Sequence, residues 1–134
     1  MKKIILVLVL LLGTISLMAQ DRYIYGGSVD EGSYVNGKMV GVRAYSRYDC
    51  VQERFEVTIV YYGNDDGRIA MSMQGSVSNV IPMYLNESIT QEPQTFYYPV
   101  NKNGYTRLSG VINFVFSDGN YSTSIPMNVG IDIR

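Results

Sequence analysis

Histidine and tryptophan are absent from the 134 residues, cysteine occurs once and proline four times. Each shortage excludes something. Without histidine there is no ordinary general base at neutral pH, no Ser-His-Asp triad, and none of the imidazole that most zinc and copper sites use. Cys50 alone can neither close an internal disulfide nor build a structural zinc site, so stability has to come from packing and strand pairing. Cysteine is among the most frequently buried residue types, and Cys50 is expected to be buried and inert. Pairing with another chain is the alternative in an oxidising compartment.

Long apolar runs are also scarce. The one that stands out is Ile4 to Leu12, preceded by Lys2 and Lys3 and followed by Gly13, Thr14 and Ser16 before Ala19-Gln20. A basic start, a short apolar stretch and a small residue at the cut make residues 1–19 an expected cleavable secretory signal peptide. The stretch falls short of the roughly 20 apolar residues that a membrane anchor needs. Gln20 stands where a lipoprotein would carry its acylated cysteine. The expected product is one domain over 20–134, secreted or periplasmic, with no membrane insertion of its own. Removing Lys2 and Lys3 from the 11 basic residues leaves 9 against 12 acidic ones, a formal charge of −3. Both signs are scattered and no basic tract exists, so nucleic acid is a poor partner.

Helical periodicity is missing beyond residue 20, and so is any internal repeat. What fills the chain is Tyr, Val, Ile, Thr and Ser, broken at short intervals by Gly, Asn and Asp, the pattern of an all-β domain. From Arg54 to Tyr62, Phe55, Val57, Ile59 and Tyr61 alternate with outward residues. Gly63 to Gly67 turns the chain, and Ile69, Met71 and Met73 follow with the same period. The expectation is a hairpin pairing Tyr61 with Ile69 and Ile59 with Met71. A second hairpin is expected around Asp118-Gly119 as a two-residue type I′ turn, pairing Phe116 with Tyr121, Phe114 with Thr123 and Ile112 with Ile125. Pro126 lacks a backbone donor and marks an edge or a bulge.

Upstream, a strand from Met39 to Tyr48 turns through Cys50 to Glu53, pairing Tyr48 with Phe55, Ser46 with Val57 and Ala44 with Ile59. The outer face then sets Arg47 against Glu56 and Tyr45 against Thr58. Weaker strand signals lie at 23–25, at 77–85 around Pro82, and at 95–100, while 87–93 reads as a surface loop. Seven or eight short antiparallel strands favour a small β-sandwich of immunoglobulin-like architecture, with a small closed barrel as the alternative. The tryptophan and cysteine pair of antibody domains is lacking. Arg54, Glu56 and Thr58 on one strand face, and Ser122, Ser124 and Asn128 on another, speak against a lipid-facing barrel.

No constellation points to catalysis. Asp49, Glu53 and Glu56 surround one turn, and Asp65 and Asp66 occupy another. A glycan hydrolase needs two carboxyls roughly 5 to 9.5 Å apart in a cleft, whereas turn carboxylates are ordinarily solvated. Asn64-Asp65-Asp66-Gly67 offers too few oxygens and the wrong spacing for calcium. No metal and no cofactor is expected. The 12 tyrosines are the unusual feature, and they cannot all be core. Adjacent pairs Tyr61-Tyr62 and Tyr97-Tyr98 must point to opposite sheet faces. Tyrosine covers sheet surfaces well, and it also suits contacts with proteins and sugars. The expected partner face is Arg43, Tyr45, Arg47, Val60 and Tyr62, because it mixes aromatic, aliphatic and arginine groups. The function expected is a non-enzymatic binding or structural module contacting a protein or a glycan. The alternatives are a carboxylate-dependent glycan hydrolase, or a barrel carrying an apolar ligand against Met71, Met73 and Phe114.

Overall fold

The computed structural model describes residues 22–63 and 67–134. The expected signal peptide at 1–19 and the Asn64, Asp65 and Asp66 of the turn weighed for calcium lie outside the described residues. The described residues form eight strands: β1 Tyr23–Val35, β2 Lys38–Asp49, β3 Arg54–Gly63, β4 Ala70–Val77, β5 Leu85–Ile89, β6 Gln94–Pro99, β7 Thr106–Ser117 and β8 Ser122–Ile133. They form two antiparallel sheets of four, ordered β1-β2-β3-β6 and β5-β4-β7-β8. The sheets do not close into a barrel; the architecture is a β-sandwich.

Period-two burial builds the core. On β8, Ile125, Met127, Val129, Ile131 and Ile133 are buried while the residues between them face out. On β3, Phe55, Val57, Ile59 and Tyr61 do the same from the opposite sheet. Burying each such side chain stabilises the fold by about 1.5–3 kcal/mol. Met71, Met73 and Phe114 are buried members of this core. Tyr61 and Tyr98 are buried while their neighbours Tyr62 and Tyr97 face outward, as alternation demands.

The β2–β3 hairpin has the expected register: Tyr48 opposite Phe55, Ser46 opposite Val57, Ala44 opposite Ile59, Arg47 opposite Glu56. The β7–β8 hairpin is offset by two residues, with Phe116 opposite Thr123, Phe114 opposite Ile125 and Ile112 opposite Met127. Asp118 causes the offset. Its Oδ1 accepts hydrogen bonds from the backbone nitrogens of Asn120 and Tyr121 at 2.9 and 2.7 Å, stabilising a longer turn than Asp-Gly alone would make. A slip of two leaves every side chain on its expected face. Pro126 sits on β8, an edge strand of its sheet.

The expected pairing of Tyr61 with Ile69 and of Ile59 with Met71 does not occur. β3 and β4 belong to different sheets, and β4 pairs with β5 and β7. Alternation reveals which face is apolar but not which sheet carries it. The two segments still meet across the core, where the Tyr61 hydroxyl donates to the Ile69 carbonyl at 3.0 Å and the Tyr61 ring lies 5.6 Å from that of Phe116.

Three further corrections concern local structure. β1 runs for 13 residues, far beyond 23–25. It turns into β2 through Asn36 and Gly37, both at positive φ (50° and 80°) as a two-residue hairpin turn requires. Residues 85–89, expected as part of a strand and then a surface loop, form β5. Cys50 is exposed at the start of the β2–β3 turn, because Asp49 takes the buried position there.

One flank is sealed by the two outermost strands β1 and β8. A Cβ on Gly27 would run into the Asn128 carbonyl oxygen, and Ser33 Oγ lies 3.1 Å from Thr123 Oγ1. Glycine at this position permits the close approach of two backbones.

Candidate functional site

The outer faces of the two sheets differ in chemistry. That of β5-β4-β7-β8 carries mainly small neutral groups such as Ser72, Gln74, Ser109, Asn113 and Ser124, with Tyr84 bonded to Gln74 and Tyr105 beside the Arg107–Asp132 pair at one end. That of β1-β2-β3-β6 carries tyrosines, arginines and carboxylates in a row across all four strands.

Strand register sets the row. Tyr25 on β1 is opposite Arg47 on β2, which is opposite Glu56 on β3, which is opposite Tyr97 on β6. Arg47 Nε donates to Glu56 Oε2 at 2.6 Å, and Arg54 Nε donates to Glu56 Oε1 at 3.1 Å. The other side of each guanidinium meets a ring: Arg47 Cζ is 3.7 Å from the Tyr23 centroid and Arg54 Cζ is 3.9 Å from that of Tyr97. Cation–π attraction and charge-assisted hydrogen bonds thus act on the same groups. Glu56 is only 1% exposed although it lies on the outer face, because the arginines roof it. Burial disfavours the Arg47 charge, but its hydrogen bonds to Glu56 and Tyr25 outweigh that and raise its pKa above the ordinary arginine value.

The row continues at the β2–β3 turn. Arg22 donates to both Asp49 oxygens at 3.2 and 3.0 Å, and the backbone nitrogens of Val51 and Gln52 donate to Oδ1 at 2.9 and 3.0 Å. The Arg22 hydrogen bonds, helped by these backbone donors and opposed by burial, hold the Asp49 carboxyl at about 2. Asp49 and Glu56 are therefore buried and ion-paired, not the solvated turn carboxylates expected. Asp49, held that low, is not set up to exchange a proton with a substrate near neutral pH.

The five expected partner-face residues do share this face. Arg43, Tyr45 and Arg47 project from β2, with Val60 opposite Arg43 on β3. Arg43 pairs with Asp30 of β1 at 3.1 Å. Tyr62 lies over Gly41, where a Cβ would run into its ring, so much of it is spent covering its own sheet. Sequence reasoning missed Tyr23, Tyr25, Arg22, Arg54 and Tyr97 as members. For Arg54 and Tyr97 the alternation signal was present, but nothing indicated that β6 lies beside β3.

The three tyrosines Tyr25, Tyr45 and Tyr97 remain 62%, 36% and 52% exposed. The Tyr25 and Tyr45 centroids are 6.0 Å apart. Two shallow grooves flank the row. The first, about 600 Å³, opens at the β1 bulge and is lined by Ser28, Asp30, Glu31, Arg43, Tyr45 and Asn128, among others. The second, about 340 Å³, is lined by Gln52, Glu53, Arg54, Tyr97, Tyr98 and Pro99. Among the described residues, no cluster of three or more His, Cys, Asp or Glu side chains is placed to hold a metal ion. Set against known proteins, the chain matches no family model, no curated protein and no solved structure.

Proposed function

We propose that the protein is an exported, non-enzymatic binding module of the cell envelope or extracellular space. It contacts a protein or a glycan through the outer face of the β1-β2-β3-β6 sheet. The observation that carries this reading is the grouping of the exposed tyrosines Tyr25, Tyr45 and Tyr97 with several ion-paired arginines across this one face. Rigid aromatic anchors held by neighbouring arginines lose little freedom on binding, which keeps the entropic cost of association low. Export is supported by the leader-like composition of residues 1–19.

The test compares wild type with a Tyr25→Ser, Tyr45→Ser, Tyr97→Ser variant, both immobilised and exposed to envelope and culture-medium fractions of the host. Protein and glycan partners retained by the wild type should be lost by the variant. Equal retention by the two would remove this face as the contact surface.

A further inference from the structure

We infer that the ligand of this face is a neutral oligosaccharide laid across the strands, from the groove beside Tyr45 to the groove beside Tyr97. The inference rests on the preceding reading of the face and narrows it to one ligand class.

Charge is the first argument. Arg22 holds Asp49, Arg43 holds Asp30, and Arg47 and Arg54 share Glu56, so one guanidinium charge of the row is left uncompensated at its centre. Among the described residues, Glu31 and Glu53 make no ion pair, and one lies in each groove. With these two the face has five carboxylates to four arginines, so an anionic polymer, whether nucleic acid or uronate, would meet an unpaired carboxylate at both ends and only the one charge shared over Glu56 between. A neutral ligand meets no such penalty.

Chemistry is the second. A pyranose presents weakly polarised C–H bonds on its faces and hydroxyls around its rim. The electron-rich face of a tyrosine ring attracts the former, as it attracts any partial positive charge. The hydroxyls, each both donor and acceptor, need both kinds of partner. Asp30, Arg43 and Asn128 offer them in the first groove, and Gln52 and Glu53 in the second. The centre of the row is a buried carboxylate under two arginines. Their guanidinium N–H groups add donors for such hydroxyls between the two grooves.

Shape is the third. From β1 to β6 are three inter-strand spacings, about 14 Å, and both grooves are open. A face of that width with an open groove at each end suits the side of a chain rather than one enclosed sugar.

The experiment uses tyrosine emission, which no tryptophan masks. The purified full-length protein is titrated with gluco-, manno-, xylo- and N-acetylglucosamine series, from monosaccharide to hexasaccharide, and with oligogalacturonate as the acidic comparison. At least one neutral series should bind, with affinity that rises with chain length and does not fall with added salt. Tyr45→Ala and Tyr97→Ala, at opposite ends, should each weaken the longer chains about tenfold. Tyr45→Phe should retain binding, and Tyr121→Ala, in the β7–β8 turn, should leave it unchanged.

Failure of every neutral series to bind overturns the inference, as does tighter, salt-sensitive binding of the acidic chain. If a protein partner is nonetheless lost by the triple serine variant, the face stands and only the ligand class falls. Neutral binding indifferent to both alanine variants overturns the inference and the face together.

Discussion

The Arg47 guanidinium carbon lies 3.7 Å from the centroid of the Tyr23 ring, and this contact ties β1 to β2 on the outer face. The same guanidinium reaches β3 through Glu56, so one side chain joins three strands.

Removing Arg47 should therefore cost more than removing Arg54. The Arg47→Ala variant leaves a buried carboxylate with only its longer, more exposed partner, at about 2–4 kcal/mol. Arg54→Ala, whose side chain is 37% exposed, should lose about 1 kcal/mol. Urea unfolding midpoints measure both. Equal losses would mean that Glu56 does not depend on the pair as described.

Acid should weaken the fold through Asp49. Its carboxyl sits at about 2 in the native state against 3.8 for the unperturbed group. A depressed folded pKa contributes stability that is complete above the unfolded value and is lost as pH falls through the folded one. The contribution should be whole above about pH 5 and gone by about pH 1. Asp49→Asn should lower stability at neutral pH by about 1–2 kcal/mol and have almost no effect near the acid limit. Unfolding curves across that range, for both proteins, decide it.

How much of this was legible in the sequence depends on what each residue can signal. Phe55, Val57 and Ile59 announced their strand and face, and Cys50 to Glu53 fixed the β2–β3 register, because a short turn leaves one way to align two apolar sets. Tyr61 and Met71 were assigned the right face and the wrong neighbour, since inward alternation is identical for strands on either sheet. Gly26, Gly27, Asp30 and Glu31 hid β1: all have low strand propensity, and the glycines serve contact with β8 rather than any local preference. The Asn36-Gly37 turn signal was there to be used. Glu56 looked like an ordinary outward charge, and its burial follows only from Arg47 and Arg54 folding over it.

Gly27→Ala should destabilise the protein by more than about 2 kcal/mol, because the new methyl meets backbone that has little room to move. Gly37→Ala, in open space but at φ +80°, should lose about 1 kcal/mol from backbone strain alone. Thermal unfolding of the two variants separates steric from conformational cost. A Gly27 variant as stable as wild type would contradict the tight seam.

Cys50 should react stoichiometrically with a maleimide in the native protein, without denaturant, because it is exposed at a turn. Cys50→Ser should change stability by less than about 0.5 kcal/mol. A thiol that becomes reactive only on unfolding would contradict its placement.

The flank where Gly27 meets Asn128 also bears on how the chain acquires its shape. β1 is the first of the described strands and β8 the last, so this seam joins segments about a hundred residues apart. During synthesis, every intermediate length leaves one side of the sandwich agape, with Ile131 and its neighbours yet to arrive. Closing a seam between strands so distant in the chain carries a large loop entropy before any contact repays it, which slows folding.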